Sequence, residues 1–131
     1  MPQFLIEAPI GVAEDAKTTM MQAISAALDE AYNIPDVRVW LREYPAGNVA
    51  HDGKIGASPI RPLCFLNAAE LDLDAKRKLV EKLHNAIADA YEDIADTAQI
   101  LMLMDHRPLE NAAWGGRLLA DIPEFVAHVA S

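Results

Sequence analysis

The chain has 131 residues, of which 52% are hydrophobic and 24% are charged. This mixture is typical of a globular protein, and the length predicts a single domain spanning residues 1–131. There are 11 lysines and arginines against 20 aspartates and glutamates, so the formal net charge is −9. Because an acidic surface repels phosphate backbones and anionic lipid, the charge argues against nucleic acid and membranes as partners.

Three features of the sequence predict a soluble, cytoplasmic protein. Cys64 is the one cysteine, so no intramolecular disulfide can form, which fits a reducing compartment. No apolar run approaches the ~20 residues of a membrane span. The first residues lack the basic region and the small-residue cleavage site of a secretory signal.

A unit of about sixty residues occurs twice in the chain. Residues 2–17 and 62–76 both open with proline, run through a short apolar strand and end in an Asp-Ala-Lys that begins a helix. The helices end at the matching tyrosines Tyr32 and Tyr91. Strand-like segments then follow at 37–44 and 98–105. The predicted organisation is a first β-α-β unit at 2–60, a second at 61–119 and a tail at 120–131.

The two units predict an α/β (α+β) fold. Apolar residues recur at three- and four-residue spacing in both helices, and two strands joined by a helix are parallel. Asp72 is the expected N-cap of the second helix, and Ile34-Pro35 ends the first. We therefore expect a four-stranded sheet with both helices on one face.

The other face of this sheet predicts self-association. In strand 37–44 one side is mainly apolar, whereas the other carries Arg38, Trp40 and Arg42 and has no helix to cover it. Ile122 and Phe125, with Val126 and Val129, form an apolar stripe in the tail. The tail either covers its own sheet or contacts a neighbouring subunit, and the sequence does not choose.

Motifs for common chemistries are absent from the sequence. It has no phosphate-binding glycine loop, no nucleophile elbow and no Cys-x-x-Cys, and no histidine stands at zinc-ligand spacing. We therefore predict no metal and no cofactor. His51 and His106 lie just past predicted strands, a usual place for active sites, but we interpret both as solvated loop residues.

Pro2 is the most informative residue. Removal of Met1 before a small residue would expose a secondary amine, and an unperturbed α-amino group titrates at about 7.7–8.0. Such a group is a suitable general base at neutral pH. The alternative is that Pro2 simply begins an edge strand, where its missing N–H costs nothing.

The order of features after Pro2 favours the catalytic interpretation. A strand and a helix lead to Val37-Arg38-Val39, then Glu43 and Gly53, and the second unit closes in Trp114-Gly115-Gly116-Arg117. This order resembles the tautomerase superfamily, and the first unit is most similar to the 4-oxalocrotonate tautomerase family. The length and the repeat resemble fused two-unit members, such as the cis-3-chloroacrylic acid dehalogenase and malonate semialdehyde decarboxylase families.

The resemblance implies a function and an assembly. Such a member is a tautomerase in which Pro2 moves a proton on a small anionic carboxylate substrate and Arg38 binds the carboxylate. Two-unit chains of this kind close a barrel of three sheets, which implies a homotrimer. Arg42 and Arg117 are further candidates for substrate binding, and Trp114 for keeping the proline dry. Surface ion pairing and packing are the alternatives for these three residues.

The sequence departs from the pattern of the superfamily at several positions. It lacks a second arginine near Val12, paired arginines at 67–71 and a water-activating glutamate at Trp114-Gly115. Gln99 is expected to replace the arginine in the second unit, whose Pro62 has an amide nitrogen. Two alternatives therefore stay open: a hydratase, dehalogenase or decarboxylase of a three-carbon acid, and a non-catalytic member of the fold.

Overall fold

The computed structural model describes residues 1–56 and 59–130, with side chains through Ala127. The first unit contains β1 (Gln3–Pro9), α1 (Glu14–Tyr32), β2 (Arg38–Tyr44), β3 (Ala50–His51) and β4 (Lys54–Ile55). The second contains β5 (Leu63–Ala68), α2 (Leu73–Tyr91), β6 (Leu101–His106), β7 (Ala113–Trp114) and β8 (Arg117–Leu118). A last helix, α3, spans Pro123–Ala130. None of the helices described combines the length and apolar character needed to cross a bilayer.

The predicted fold is confirmed. Four strands form one mixed sheet in the order β2-β1-β5-β6, with β1 parallel to β2 and β5 parallel to β6. The two units meet through the antiparallel pair β1 and β5. The pairs β3–β4 and β7–β8 form small hairpins that close each unit.

The core lies between the sheet and the two long helices. Alternate residues of β1 and β5 are buried, because successive side chains in a strand point to opposite faces. The buried strand residues are Phe4, Ile6, Ala8, Cys64, Leu66 and Ala68. The helices cover them with apolar side chains at helical spacing: Met20, Ile24, Ala27 and Leu28 from α1, and Leu79, Leu83 and Ile87 from α2.

The helix ends follow the local sequence. Asp72 accepts a hydrogen bond from the Ala75 backbone N–H at 2.8 Å, which confirms it as the N-cap of α2. The first helix ends where Asn33 adopts a left-handed conformation with φ 50°, just before Ile34-Pro35. These ends place β2 and β6 beside the first strand of their own unit.

The predicted alignment of the two units was wrong by two residues in the last strand. Arg38 donates its backbone N–H to the Pro2 carbonyl at 3.0 Å, and Leu101 donates to the Pro62 carbonyl at 3.1 Å. Leu101, not Gln99, is therefore the counterpart of Arg38. Gln99 lies in a 3₁₀ turn, and its backbone N–H donates to the Asp96 carbonyl at 3.1 Å. The turn therefore contains residues 98 and 99, which the sequence pattern assigned to the strand.

The open face of the sheet has an apolar row across its middle. Strand register places Trp40, Leu5, Phe65 and Leu103 side by side on the face opposite the helices. Trp40 is 53% exposed and Leu103 is 44% exposed, which confirms the prediction that no helix covers this face. The neighbouring row is polar and runs through Arg38, Gln3, Asn67 and Asp105.

The tail packs against its own chain, at the end of the sheet where β1 begins. Ile122 and Phe125 are buried in a second cluster with Ile34 and Leu119, and Met1 packs against this cluster. Val126 is exposed, and the side chain of Val129 lies outside the described residues. The tail therefore covers the start of β1 and leaves the open face of the sheet uncovered.

Candidate functional site

The start of β1 lies beside the ends of β5 and β6. Because β1 and β5 run antiparallel, Gln3 pairs with Asn67, and because β5 and β6 run parallel, Asn67 pairs with Asp105. Arg38 begins β2 opposite Gln3. Residues that are distant in sequence therefore meet at this one end of the sheet.

These residues line a cavity of about 320 Å³, which we call the Pro2 cavity. Its polar groups come from five side chains: Gln3, Arg38, Asn67, Arg107 and Asn111. Small residues complete the wall at 68–69 and 112–113. The lining residues, as far as the structure describes them, include no carboxylate and no imidazole. In an acidic chain, this cavity therefore presents two guanidinium groups and three amides.

Pro2 is buried at the edge of the Pro2 cavity. Less than 2% of its surface is exposed, and its carbonyl is held by the Arg38 backbone N–H. Its nitrogen is bonded to Met1, which itself lines the cavity. Both chain neighbours of Pro2, Met1 and Gln3, line the cavity, so Pro2 lies beside it, and the hydrogen bond from β2 fixes the Pro2 carbonyl.

Arg38 is oriented by a neighbouring carboxylate. Asp36 accepts hydrogen bonds from Nε of Arg38 at 3.0 and 3.2 Å, and Nη2 lies 3.0 Å from Oδ2 of Asp36. Asp36 adopts φ 69°, an uncommon conformation that aspartate tolerates better than most residues. The turn after Ile34-Pro35 thus places this carboxylate against one edge of the guanidinium.

Arg107 and Asn67 are cavity residues that the sequence pattern did not indicate. Arg107 follows β6, donates its backbone N–H to the Ala68 carbonyl at 2.8 Å and donates from Nη2 to Oδ1 of Asn67 at 3.2 Å. The position of Arg107 just past a strand end was the one available signal. Its proximity to Pro2 depends on the antiparallel pairing of β1 with β5, which no local pattern reveals.

The structure places the other predicted site residues elsewhere in this single chain. Arg42 pairs with Glu7 at 3.0 Å on the open face. Trp114 and Arg117 face each other in the β7–β8 hairpin; the Trp114 ring stacks edge-on against Phe125 at 5.6 Å, and Arg117 donates to the Asp121 carbonyl at 2.8 Å. None of the three is among the described residues that line the Pro2 cavity. Their roles in substrate binding stay predictions.

Burial changes the basicity of an amine at this end of the chain. Desolvation of the half-buried Met1 lowers the pKa of its α-amino group from 8.0 to about 6, and the Asp36 carboxylate opposes this shift. The α-amino group of the chain that retains Met1 is thus mainly neutral at neutral pH, with its lone pair free to accept a proton. Among the residues described, no cluster of histidine, cysteine, aspartate and glutamate could hold a metal ion.

The α-amino group of the chain that retains Met1 is expected to titrate near pH 6 when folded. The rate of its acylation, followed by intact mass against pH, measures this because only the neutral amine reacts. The unfolded chain in denaturant should titrate near 8, and Asp36→Asn should lower the folded value further. A folded pKa near 8 would contradict the burial of this group.

The lowered pKa of this α-amino group also predicts how the free energy of unfolding changes with pH. Between pH 6 and 8 the unfolded chain carries a proton on this amine that the folded chain has released. The free energy of unfolding should therefore rise with pH across this window, and the gain should be absent when the amine is acetylated. Urea titrations of both forms at pH 5.5 and 8.5 measure the difference.

Comparison of the sequence alone with known proteins gives no assignment. No protein-family model matches the chain. No curated protein matches it by sequence either. The similarity that exists is therefore one of three-dimensional structure.

The chain is similar to several solved structures over most of its length. A native fused 4-OT matches with a TM-score of 0.79 and 20% identity, covering 92% of this chain and 98% of that one. A symmetric trimer of fused 4-OT matches with a TM-score of 0.75 and 23% identity, covering 88% and 94%. Pt0534 inactivated by 2-oxo-3-pentynoate matches with a TM-score of 0.75 and 18% identity, covering 88% and 94%. The chain thus has the fold of fused 4-OT, with two tandem β-α-β units joined through one mixed sheet.

Proposed function

We propose that the protein is a tautomerase of the tautomerase superfamily that uses Pro2, after removal of Met1, as its general base. The observation that carries this proposal is the position of Pro2, buried and fixed beside a cavity that holds two arginines. The fold shared with fused 4-OT supports it. The substrate is a small carboxylate with a keto or enol group next to the acid.

The proposed reaction moves one proton and leaves the atoms of the substrate otherwise unchanged. The Pro2 nitrogen accepts the enol hydroxyl proton, and the electrons of the O–H bond form the carbonyl. The electrons of the carbon–carbon double bond then take a proton from the Pro2 ammonium to form the new C–H bond. The amine is regenerated, so no cofactor and no redox partner are needed.

The arginines and amides give the carboxylate a binding site. A guanidinium offers two parallel N–H groups to a carboxylate, and Asp36 already orients that of Arg38. Arg107 reaches the same cavity from the second unit and is held by Asn67. Charge that develops on the substrate oxygen during proton transfer would meet these donors without rearrangement.

The cavity lining favours tautomerisation over the alternative reactions of three-carbon acids. Hydration and dehalogenation add water, which a carboxylate or imidazole beside the substrate normally activates. The described lining residues of the Pro2 cavity offer neither, whereas an N-terminal amine alone suffices for a tautomerase. Pt0534 is inactivated by a 2-oxo acid, which supports 2-oxo acids and their enols as the substrate class here.

We also propose a homotrimeric, cytoplasmic protein. The apolar row through Trp40 and Phe65 leaves a hydrophobic surface that association of three sheets would bury, and a fused 4-OT with the same fold is a symmetric trimer. Cys64 is free and fully buried, which fits a reducing compartment.

Arg38→Ala should lower kcat/KM by roughly 30- to 1,000-fold, or about 2–4 kcal/mol, because the carboxylate loses a charged bidentate partner. Arg38→Lys should recover part of the loss. The ketonisation of phenylenolpyruvate, followed by absorbance, measures the rates. Urea denaturation checks that each variant is folded.

Two further variants make the Arg38 result specific. Arg77→Ala is the matched control, because Arg77 is likewise exposed and paired with a nearby aspartate, Asp74, but lies on α2 and lines neither cavity. The double variant Asp36→Asn/Arg38→Ala removes the carboxylate that Arg38→Ala leaves unpaired. Equal rates for the Arg38→Ala and Arg77→Ala proteins would make Arg38 a structural residue.

Removal of Met1 should switch the activity on. While Met1 is attached, the Pro2 nitrogen is an amide with no available lone pair, so this form should be inactive. One preparation, half of it treated with methionine aminopeptidase and checked by intact mass, gives both forms for the same assay. The active form should gain rate with pH through one ionisation below the ordinary α-amino pKa, because burial disfavours the ammonium.

A variant at Pro2 distinguishes the need for a basic amine from the need for its fixed position. Pro2→Ala, after removal of Met1, retains a primary amine that is more flexible, so the rate should fall sharply without vanishing. Equal rates for the forms with and without Met1 would remove Pro2 from the mechanism. They would also remove the main support for calling this chain a tautomerase.

Light scattering at micromolar concentration should give three times the 14.3 kDa chain mass. Trp40→Asp should produce monomers, because it places a charge in the apolar row of the open face. Leu73→Asp is the matched control, since Leu73 is also exposed but lies at the start of α2. A stable monomer of the unmodified chain would overturn the trimer.

A further inference from the structure

A second, larger cavity adjoins the Pro2 cavity. Its volume is about 700 Å³, and it lies between the end of α1, the loops after β5 and β6, and the start of α3. We call it the Tyr32 cavity. It shares two lining residues with the Pro2 cavity, Ala69 and Arg107. One arginine thus stands at the boundary of both spaces.

Much of the wall of the Tyr32 cavity is apolar. Ile34, Leu71, Leu109 and Val126 line it, and none of the four can form a hydrogen bond through its side chain. A hydrocarbon chain placed here would remove apolar surface from water, which favours binding. The Pro2 cavity, in contrast, has a polar lining. The two cavities therefore suit the two ends of one amphipathic acid.

The charged residues of the Tyr32 cavity oppose a second carboxylate. Glu70 and Glu110 line it, and the only lysine or arginine among its described lining residues is Arg107, at the boundary. The pKa of Glu70 is lowered, chiefly by its hydrogen bond with Lys76, so Glu70 stays ionised at neutral pH. Burial raises the pKa of Tyr32 to about 12, so its hydroxyl keeps its proton. The charge of Glu70 is thus paired with Lys76, whereas Glu110 has no ion-pair or hydrogen-bond partner among the described residues, so Glu110 is the group here that accepts a hydrogen bond and repels a second carboxylate.

We infer that the two cavities form one site for a monocarboxylic acid whose apolar substituent ends in a hydrogen-bond donor, such as a hydroxyl group. The carboxylate lies between Arg38 and Arg107 in the Pro2 cavity. The substituent passes Arg107 and Ala69 into the Tyr32 cavity, where its terminal group donates to Glu110. The inference rests on the proposed function, because it assumes that the Pro2 cavity holds the carboxylate.

Calorimetric binding of four saturated acids to the Met-free protein tests the inference without turnover. The probes are acetate, hexanoate, 6-hydroxyhexanoate and adipate. Hexanoate should bind at least tenfold more tightly than acetate, and 6-hydroxyhexanoate more tightly still. Adipate should bind at least tenfold more weakly than hexanoate, because its second carboxylate meets the unpaired carboxylate of Glu110. Equal affinities for hexanoate and adipate would overturn the inferred specificity.

Two substitutions locate the binding of the substituent. Ala120→Trp fills the Tyr32 cavity from an exposed position, so hexanoate should lose its advantage while acetate binds as before. Glu110→Lys should favour adipate by at least tenfold relative to hexanoate. Glu81→Lys is the matched charge control on the exposed face of α2 and should change neither ratio. Unchanged ratios in both cavity variants would place the substituent elsewhere.

The binding assay and the kinetic assay test the two proposals separately. If Met-free protein ketonises phenylenolpyruvate but its affinity for saturated acids does not rise with chain length, the inference is wrong and the proposed function stands. If the acids bind in the expected order without any turnover by the Met-free protein, the tautomerase proposal is wrong. The order of affinities would then still assign the two cavities to one acid.

Discussion

The antiparallel pairing of β1 with β5 is the constraint on which the rest of the structure depends. It joins two parallel β-α-β units into one sheet and sets Gln3 opposite Asn67. The start of the first unit therefore faces the end of the second. A parallel junction would have placed Pro2 and Arg107 at opposite ends of the sheet. The Pro2 cavity and its second guanidinium both follow from this one pairing.

Each of the two guanidinium groups of the Pro2 cavity is oriented by one neighbouring side chain. Asp36 orients Arg38, and Asn67 orients Arg107 through an uncharged amide. The difference matters because an amide leaves the guanidinium its full positive charge, whereas an aspartate neutralises part of it. Arg107 therefore keeps more of its charge uncompensated, and Arg38 is the more rigidly directed of the two. In a chain with net charge −9, such a local pair is what can draw a small anion to this end of the sheet.

The sequence was sufficient for what depends on local chemistry. The repeat gave the two β-α-β units, helical spacing gave the buried faces, and Asp72 marked the start of α2. The position of the last strand was not predictable by the same means, because a 3₁₀ turn ending at Gln99 has no distinct local pattern. Asn67 and Arg107 were missed for a different reason. Their importance arises from a contact between units, and a contact over forty residues leaves no periodic signal.

The two units have the same backbone but cannot carry the same chemistry. Both hold their first proline through the carbonyl, which accepts an N–H from Arg38 in one unit and from Leu101 in the other. Processing of the chain start can expose only the nitrogen of Pro2, since that of Pro62 remains in an amide bond with Arg61. An arginine beside Pro62 would therefore have no free amine next to it. At that position Leu101 instead adds apolar surface to the open face, where it is 55% exposed. Duplication of the unit thus contributed different features: Pro2 and Arg38 come from the first copy, whereas the second adds Arg107 at the same end of the sheet and exposed apolar surface on the open face.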